Sequence, residues 1–441
     1  MLMTLLKAHW LHRSAGLALA ATCATAPAHA DEVKRVPPAP ASITLPDLSA
    51  IGQPHSVVVR NGVLYVGART GLAAVDRSGQ LLWTVKLAPM NTRQVEADAE
   101  HVAWSGAEVL GLVDGGGVTA ALMWNDPSRK IEVTRAAAGL VTVQGTPVWE
   151  VPFEEPSALS VPTLAPQAVM VVGAKNARLL KRSDGSSLQD IVMWTNWLGI
   201  SGNHVTRVAV TPAVWHGDLF VAGHQNWFKK VDAQGEEQLS ARNNFGVTGG
   251  PVVCKGQVYV GQSAYPMGNI FTGKKAHLAQ IGAKGETIWR ANLDDELGGV
   301  ASLACNDELV FAATNSIVIA VTPAGKEVWE AHSERGVGQL FPGTHRGVVR
   351  VRDIFNNAGP AVARAATAGR QMLVAGPWLY ITTRAKPEAS HPEDLITLLD
   401  AKTGAFVEAI DIKSTVIDMV PFGPDLAVVT GKGLQLVALK P

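Results

Sequence analysis

The feature that most restricts this chain is a short phrase that returns from one end to the other. In Val210–Gln238 an apolar run pauses at His216-Gly217-Asp218, resumes as Leu219–Ala222, and passes a polar turn into Phe228–Asp232 and Gly235. That is strand, turn, strand, turn, strand. Copies centre on anchors ending at Gly67, Ser105, Gly173, Ala222, Gly261, Ala312, Thr382 and Val429. Most lie about 40–50 residues apart, the length of one four-stranded blade, and two wider gaps need insertions or a degenerate blade. The fold class that follows is all-β: a β-propeller of four-stranded antiparallel blades, eight most simply and seven as the alternative. No helical period is sustained outside the leader, and Pro360–Arg370 is the one modest helical candidate.

The final copy stops at Leu434–Leu439, one strand short. A half-built blade exposes an edge, and an N-terminal strand closing the ring removes it. Ile43–Leu45, after the stiff Val36–Pro40 leader, is the candidate. Several copies carry a Trp four residues after a turn glycine: Gly79 and Trp83, Gly285 and Trp289, Gly325 and Trp329. A large aromatic at a fixed place in each unit reads as packing between neighbouring sheets before it reads as a ligand cage.

Residues 1–30 have the form of a signal peptide. Lys7, His9, His12 and Arg13 precede an apolar run from Ala15 to Ala26, and Ala28-His29-Ala30 forms a small-x-small cleavage site before Asp31. The run is too short for a spanning helix, and Ala20-Ala21-Thr22 before Cys23 is a poor lipidation signal. The expected organisation is a signal peptide over 1–30, a leader over 31–52 and a single propeller domain over 53–441, periplasmic or secreted after cleavage near Ala30. Insertions are expected near 126–165, 263–275 and 335–376.

The whole chain has 38 basic and 38 acidic residues, and the leader takes Lys7 and Arg13 with it, leaving a net charge near −2. That balance speaks against nucleic acid as partner, which needs a basic face. No other segment is apolar and long enough to cross a membrane. Two cysteines survive cleavage, Cys254 and Cys305, at matching places in PVVC-KGQVYV and SLAC-NDELVF. A disulfide between neighbouring blades is open to them; two small buried apolar residues is the favoured reading.

The phrases TPAV-WHG-DLFVAG…KKVDAQGE and GGPVV-CKG-QVYVG…QIGAKGETIW resemble the repeats of quinoprotein-alcohol-dehydrogenase-like propellers, the PQQ-like repeat family. The likeness runs over most of Gln53–Pro441 and is nearest in type to non-enzymatic scaffold members such as BamB. For the dehydrogenase branch it implies pyrroloquinoline quinone (PQQ), a vicinal Cys-Cys ring, calcium held by Glu and Asn, a catalytic Asp and a Trp floor. No Cys-Cys pair and no Cys-x-x-Cys-His occurs. The expectation is therefore no cofactor, with PQQ and calcium as the alternative.

Hydrolase, zinc-helix, P-loop and EF-hand patterns are missing. Gly115-Gly116-Gly117 precedes a strand-like run and reads as a turn. Turn histidines (His204, His216, His224, His277, His332, His345, His391) and the acidic pairs Asp294-Asp295-Glu296 and Glu154-Glu155 read as structural or solvated. Function is more readily grafted on the insertions. Trp194 and Trp197, Tyr265 and Phe271, and Arg346, Arg350, Arg352, Asp353 and Asn356 are the candidate binding residues; their mix of aromatic, amide and basic groups suits a peptide, glycan or anion. The expected function is an exported, non-enzymatic scaffold that binds another envelope or secreted protein through rim loops. The alternative is a propeller enzyme, dehydrogenase or carbohydrate-active, with a site in the central channel.

Overall fold

Each repeat phrase becomes a meander because its turns are built from residues that suit them. Asn61-Gly62 takes up the left-handed conformation, φ 51° and 76°, that a two-residue hairpin loop matching strand twist requires. At the next hairpin but one, Asp76 accepts the backbone N–H of Ser78 and of Gln80, a side chain standing in for a turn carbonyl. Asp232 does the same for Gln234 and Glu236.

The computed structural model describes residues 35–110, 132–153, 159–173, 176–192, 212–263, 276–293, 300, 302–314, 317–333, 340–342, 372–384 and 394–441. They belong to one unit spanning Lys34–Pro441. Among them every regular element is a strand, apart from one 3-10 turn at Ser49–Ile51; Pro360–Arg370 falls outside.

Eight blades follow in chain order. Blade 1 is Pro54–Arg60, Val63–Ala68, Gly71–Val75 and Leu81–Lys86. Blade 2 is Thr92–Ala97, His101–Leu110, Glu132–Thr142 and Pro147–Pro152, so much of the stretch expected as an insertion near 126–165 is regular blade, paired along the whole of His101–Leu110. Blade 3 is Thr163–Leu164, Ala168–Val172, Asn176–Lys181 and Ser187–Val192. Blades 4 and 5 form one six-stranded sheet, because Leu219–Asp232 and Glu237–Cys254 each run on through the point where one strand would hand over to the next. Blade 6 is Ser302–Cys305, Val310–Ala313, Ile317–Val321 and Glu327–Ser333, with Leu340–Pro342 added at its edge. Blade 7 is Met372–Ala375, Trp378–Arg384, Asp394–Asp400 and Phe406–Asp411, with Arg35–Val36 added in parallel. Blade 8 has only Val416–Phe422, Asp425–Thr430 and Gly433–Ala438. All eight anchors are second strands, and the two wide gaps hold insertions; no ninth sheet lies in them among the described residues.

The first strands of neighbouring blades approach one another in turn all the way round, and blade 8 meets blade 1. They are the inner ring. Apolar side chains fill the space between successive sheets: Val57, Val66 and Ala73 of blade 1 pack with Val420, Phe422 and Val429 of blade 8.

Outer-strand tryptophans lock four of the blades to the next. Trp83 of blade 1 lies against Gly145 of blade 2, where an added Cβ would stand 2.7 Å from the ring, and its Nε1 donates to the Val143 carbonyl at 2.8 Å. Trp149 meets Gly185 and donates to Arg182; Trp289 meets Gly325 and donates to Pro323; Trp329 meets Gly404 and donates to Ala401. Gln189 and Leu239 hold the same place in blades 3 and 4. The tryptophans are packing residues.

The N-terminal segment occupies the fourth place of blade 8. Ser42 donates its N–H and Oγ–H to Asp425, Ala39 accepts the Ala438 N–H, and the Thr44 carbonyl sits against Gly79 where other blades present the Trp. Ile43, Leu45 and Leu48 pack on the blade 8 core. Closure is thus at the expected stretch, but Ile43–Leu45 makes no ladder; Pro46 has no N–H to give and holds the segment off strand geometry. The laddered N-terminal strand is Arg35–Val36, and it joins blade 7.

Cys254 and Cys305 are bonded, with Cα atoms 6.2 Å apart. The favoured reading of two separate buried residues fails because both cysteines end the first strand of their blades, on the inner ring where neighbouring blades come closest.

Candidate functional site

An antiparallel meander gives the two ends of a blade different work. At one end the first strand turns into the second and the third into the fourth, and these turns are short and described in every copy, from Asn61-Gly62 to Gly423-Pro424. At the other end the second strand passes to the third, and one blade passes to the next. The strand ends flanking 111–131, 193–211 and 264–275 open on this second end, as does Met372 after 343–371, while Leu340–Pro342 turns back along Glu327–Ser333 toward the first end. Trp194, Trp197, Tyr265, Phe271, Arg346, Arg350, Arg352, Asp353 and Asn356 lie outside the described residues, as do His204, His345, His391, Asp294-Asp295-Glu296 and Glu154-Glu155.

Described side chains at this end form one polar assembly, in the mouth between blades 1 and 2. Pairing of Pro54 with Ala68 brings His55, at the start of the inner strand, beside the Arg69-Thr70 turn. That turn is stitched to the inter-blade connection: the Met90 N–H donates to the Arg69 carbonyl at 2.8 Å and the Leu87 N–H to Thr70 at 2.9 Å. Arg93 opens the inner strand of blade 2, is fully buried, and donates Nη2–H to the Ala88 carbonyl at 2.7 Å. Arg135 donates to the carbonyl of Pro89.

Arg93 lies over Trp104, its Cζ 4.8 Å from the ring centroid, and Trp104 in turn lies on Gly139, where a Cβ would collide at 2.5 Å. A stacked guanidinium keeps its N–H edge free for acceptors. Among the described residues Nε and Nη1 have none, and the buried Ser56 Oγ across the strand pair has no partner either. Gly67 separates the two: a Cβ there would meet Ser56 Oγ at 3.1 Å and Arg93 Cγ at 3.4 Å. Carboxylates on this face of blade 2 are Glu108, opposite Arg135 and accepting the Asn91 N–H, and Glu150, opposite Gly139.

Burial, with nearby Arg93 and Arg69, pushes the His55 imidazole down to about 4, so it is neutral near pH 7. Burial lowers Arg93 to about 10, with Glu150 opposing and Arg135 adding to the effect, and the group keeps its charge. Sequence reading passed over His55, Arg69 and Arg93. The available signal was a basic residue at the apolar start of an inner strand, in Thr92-Arg93-Gln94-Val95.

A second buried polar pair stands at the same end of blade 5, where Gln262 faces His277 across the ladder. Among the described residues no group of three or more His, Cys, Asp or Glu is placed to hold a metal. Cys254 and Cys305 bridge two blades and do not supply the vicinal ring that a quinone site of the resembled branch uses.

Comparison with known proteins agrees on architecture. A family sequence model described as outer membrane protein assembly factor BamB matches residues 55–274. The crystal structure of BamB from Moraxella catarrhalis superposes with TM-score 0.55 at 10% identity, covering 86% of this chain and 95% of that one. Sqt1 of Saccharomyces cerevisiae gives TM-score 0.54 at 9% identity, covering 89% and 97%. Among curated proteins nothing matches. At these identities the structural likeness is one of fold.

Proposed function

The chain belongs to the PQQ-like repeat β-propeller family, and on that premise we propose that it is an exported, non-enzymatic scaffold whose open end binds another envelope or secreted protein. The observation that carries this reading is the division of labour between the two ends of the blades. One end is short turns; the other has both flanks of 111–131, 193–211 and 264–275 and the Met372 flank of 343–371, together with the polar cluster of blades 1 and 2. Rigid rings of this kind present variable loops as binding surface. The matched family description, an assembly factor of the outer membrane, supports a protein partner and an envelope location. Export rests on the leader, with cleavage near Ala30, and no resident cofactor is proposed.

The test is a crosslinking capture from the periplasm with the full chain and with a variant lacking Arg346–Asn357. One or more partners should be recovered by the full chain and lost with the deletion; recovery of none, or recovery indifferent to the deletion, overturns the proposal. PQQ with calcium should leave the melting temperature unchanged, and a saturable rise would favour the dehydrogenase alternative.

A further inference from the structure

We propose that the mouth between blades 1 and 2 is a binding subsite for a compact oxyanion, a carboxylate or a phosphate, held by the N–H groups of Arg93 and the hydroxyl of Ser56 and reached past Arg69 and His55. Arg93 is fully buried and charged, yet among the described residues one carbonyl is its sole hydrogen-bond acceptor, and two of its three nitrogens, Nε and Nη1, have none. A buried cation left so is costly, and an anion accepting from one of these N–H groups is the partner that relieves it. Ser56 adds a donor on the other side of Gly67, itself buried and unbonded.

The surroundings favour a ligand from outside. Arg69 is exposed, the neutral His55 is partly buried and Arg93 wholly so, so exposure falls step by step from the Arg69–Thr70 turn to Arg93. Glu108 already takes the Asn91 N–H and stands opposite Arg135, while Glu150 acts on Arg93 only at a distance. Trp104 fixes the guanidinium from below, so the donors are held in place before a ligand arrives. The two sources of such a group are a free ion and an acidic side chain of a polypeptide. This inference stands apart from the scaffold reading and fails separately from it.

The experiment is equilibrium dialysis of the full chain against radiolabelled inorganic phosphate at constant ionic strength, with acetate and a glutamate-rich peptide as competitors. Saturable binding of about one ion per chain is expected, as one buried guanidinium implies. Arg69→Gln and Ser56→Ala, which leave the buried cation in place, should each weaken it several-fold; Arg93→Gln should abolish it if that variant folds. Competition by the peptide at far lower concentration than acetate identifies an acidic side chain as the source, and equal competition identifies a free ion. Absence of saturable binding, or binding that Arg69→Gln and Ser56→Ala both leave unchanged, overturns the proposal.

Discussion

Single residues do two kinds of work in this ring. Trp83, Trp149, Trp289 and Trp329 supply area and a hydrogen bond at a blade junction, so Trp83→Ala should cost about 2–4 kcal/mol in urea unfolding and Trp83→Phe about 1 kcal/mol. Gly145→Ala should also destabilise by more than about 1 kcal/mol, since φ is 85° and its Cβ would enter the Trp83 ring. His55 sets a pH dependence. Its folded value, about 4, is below the ordinary 6.5, so the unfolded chain takes up a proton first as pH falls. Stability should therefore drop between about pH 6.5 and pH 4, by roughly 2–3 kcal/mol, and His55→Gln should flatten the slope in unfolding curves at pH 7 and pH 4.5. The tryptophans were legible because their spacing from a turn glycine repeats. His55 and Arg93 were not, because their meaning comes from two blades meeting, which no local spacing records.

At the level of elements, the meanders were readable wherever turn chemistry punctuates apolar runs, and this placed all eight second strands. Reading failed where strands run through, as in Leu219–Asp232 and Glu237–Cys254, and in blade 2, where Glu132–Thr142 follows its partner strand only after a long interval. The bridge from Cys254 to Cys305 ties blade 5 to blade 6 across a separation of 51 residues. Loop-closure entropy over such a span gives about 2–4 kcal/mol, so dithiothreitol, or Cys254→Ala with Cys305→Ala, should lower the urea midpoint accordingly while leaving the far-ultraviolet spectrum unchanged. Asp425 anchors the closing segment through Ser42 and is fully buried. Asp425→Ala should cost about 2–3 kcal/mol by the same measurement, because it strands the Ser42 N–H and hydroxyl.

For the molecule as a whole, the number of blades and the site of closure could be read from the repeat, while the candidate binding residues of the long connections could only be located by which end of the blades they leave. Two ends so unequal predict that substitutions will separate: changes in the short turns should alter stability alone, and removal of 346–357 should alter partner capture with a melting temperature within a few degrees of wild type, checked by calorimetry. The closing segment carries a consequence in time. Ser42 and Asp425 are 383 residues apart, so the N-terminal segment waits for the last blade before this anchor can form. Until Asp425 arrives, blade 8 has an open flank and blade 1 lacks its neighbour. Until closure the chain must therefore stay unaggregated as an open arc, and shielding of that arc, more than the stability of any blade, should set the yield of folded protein.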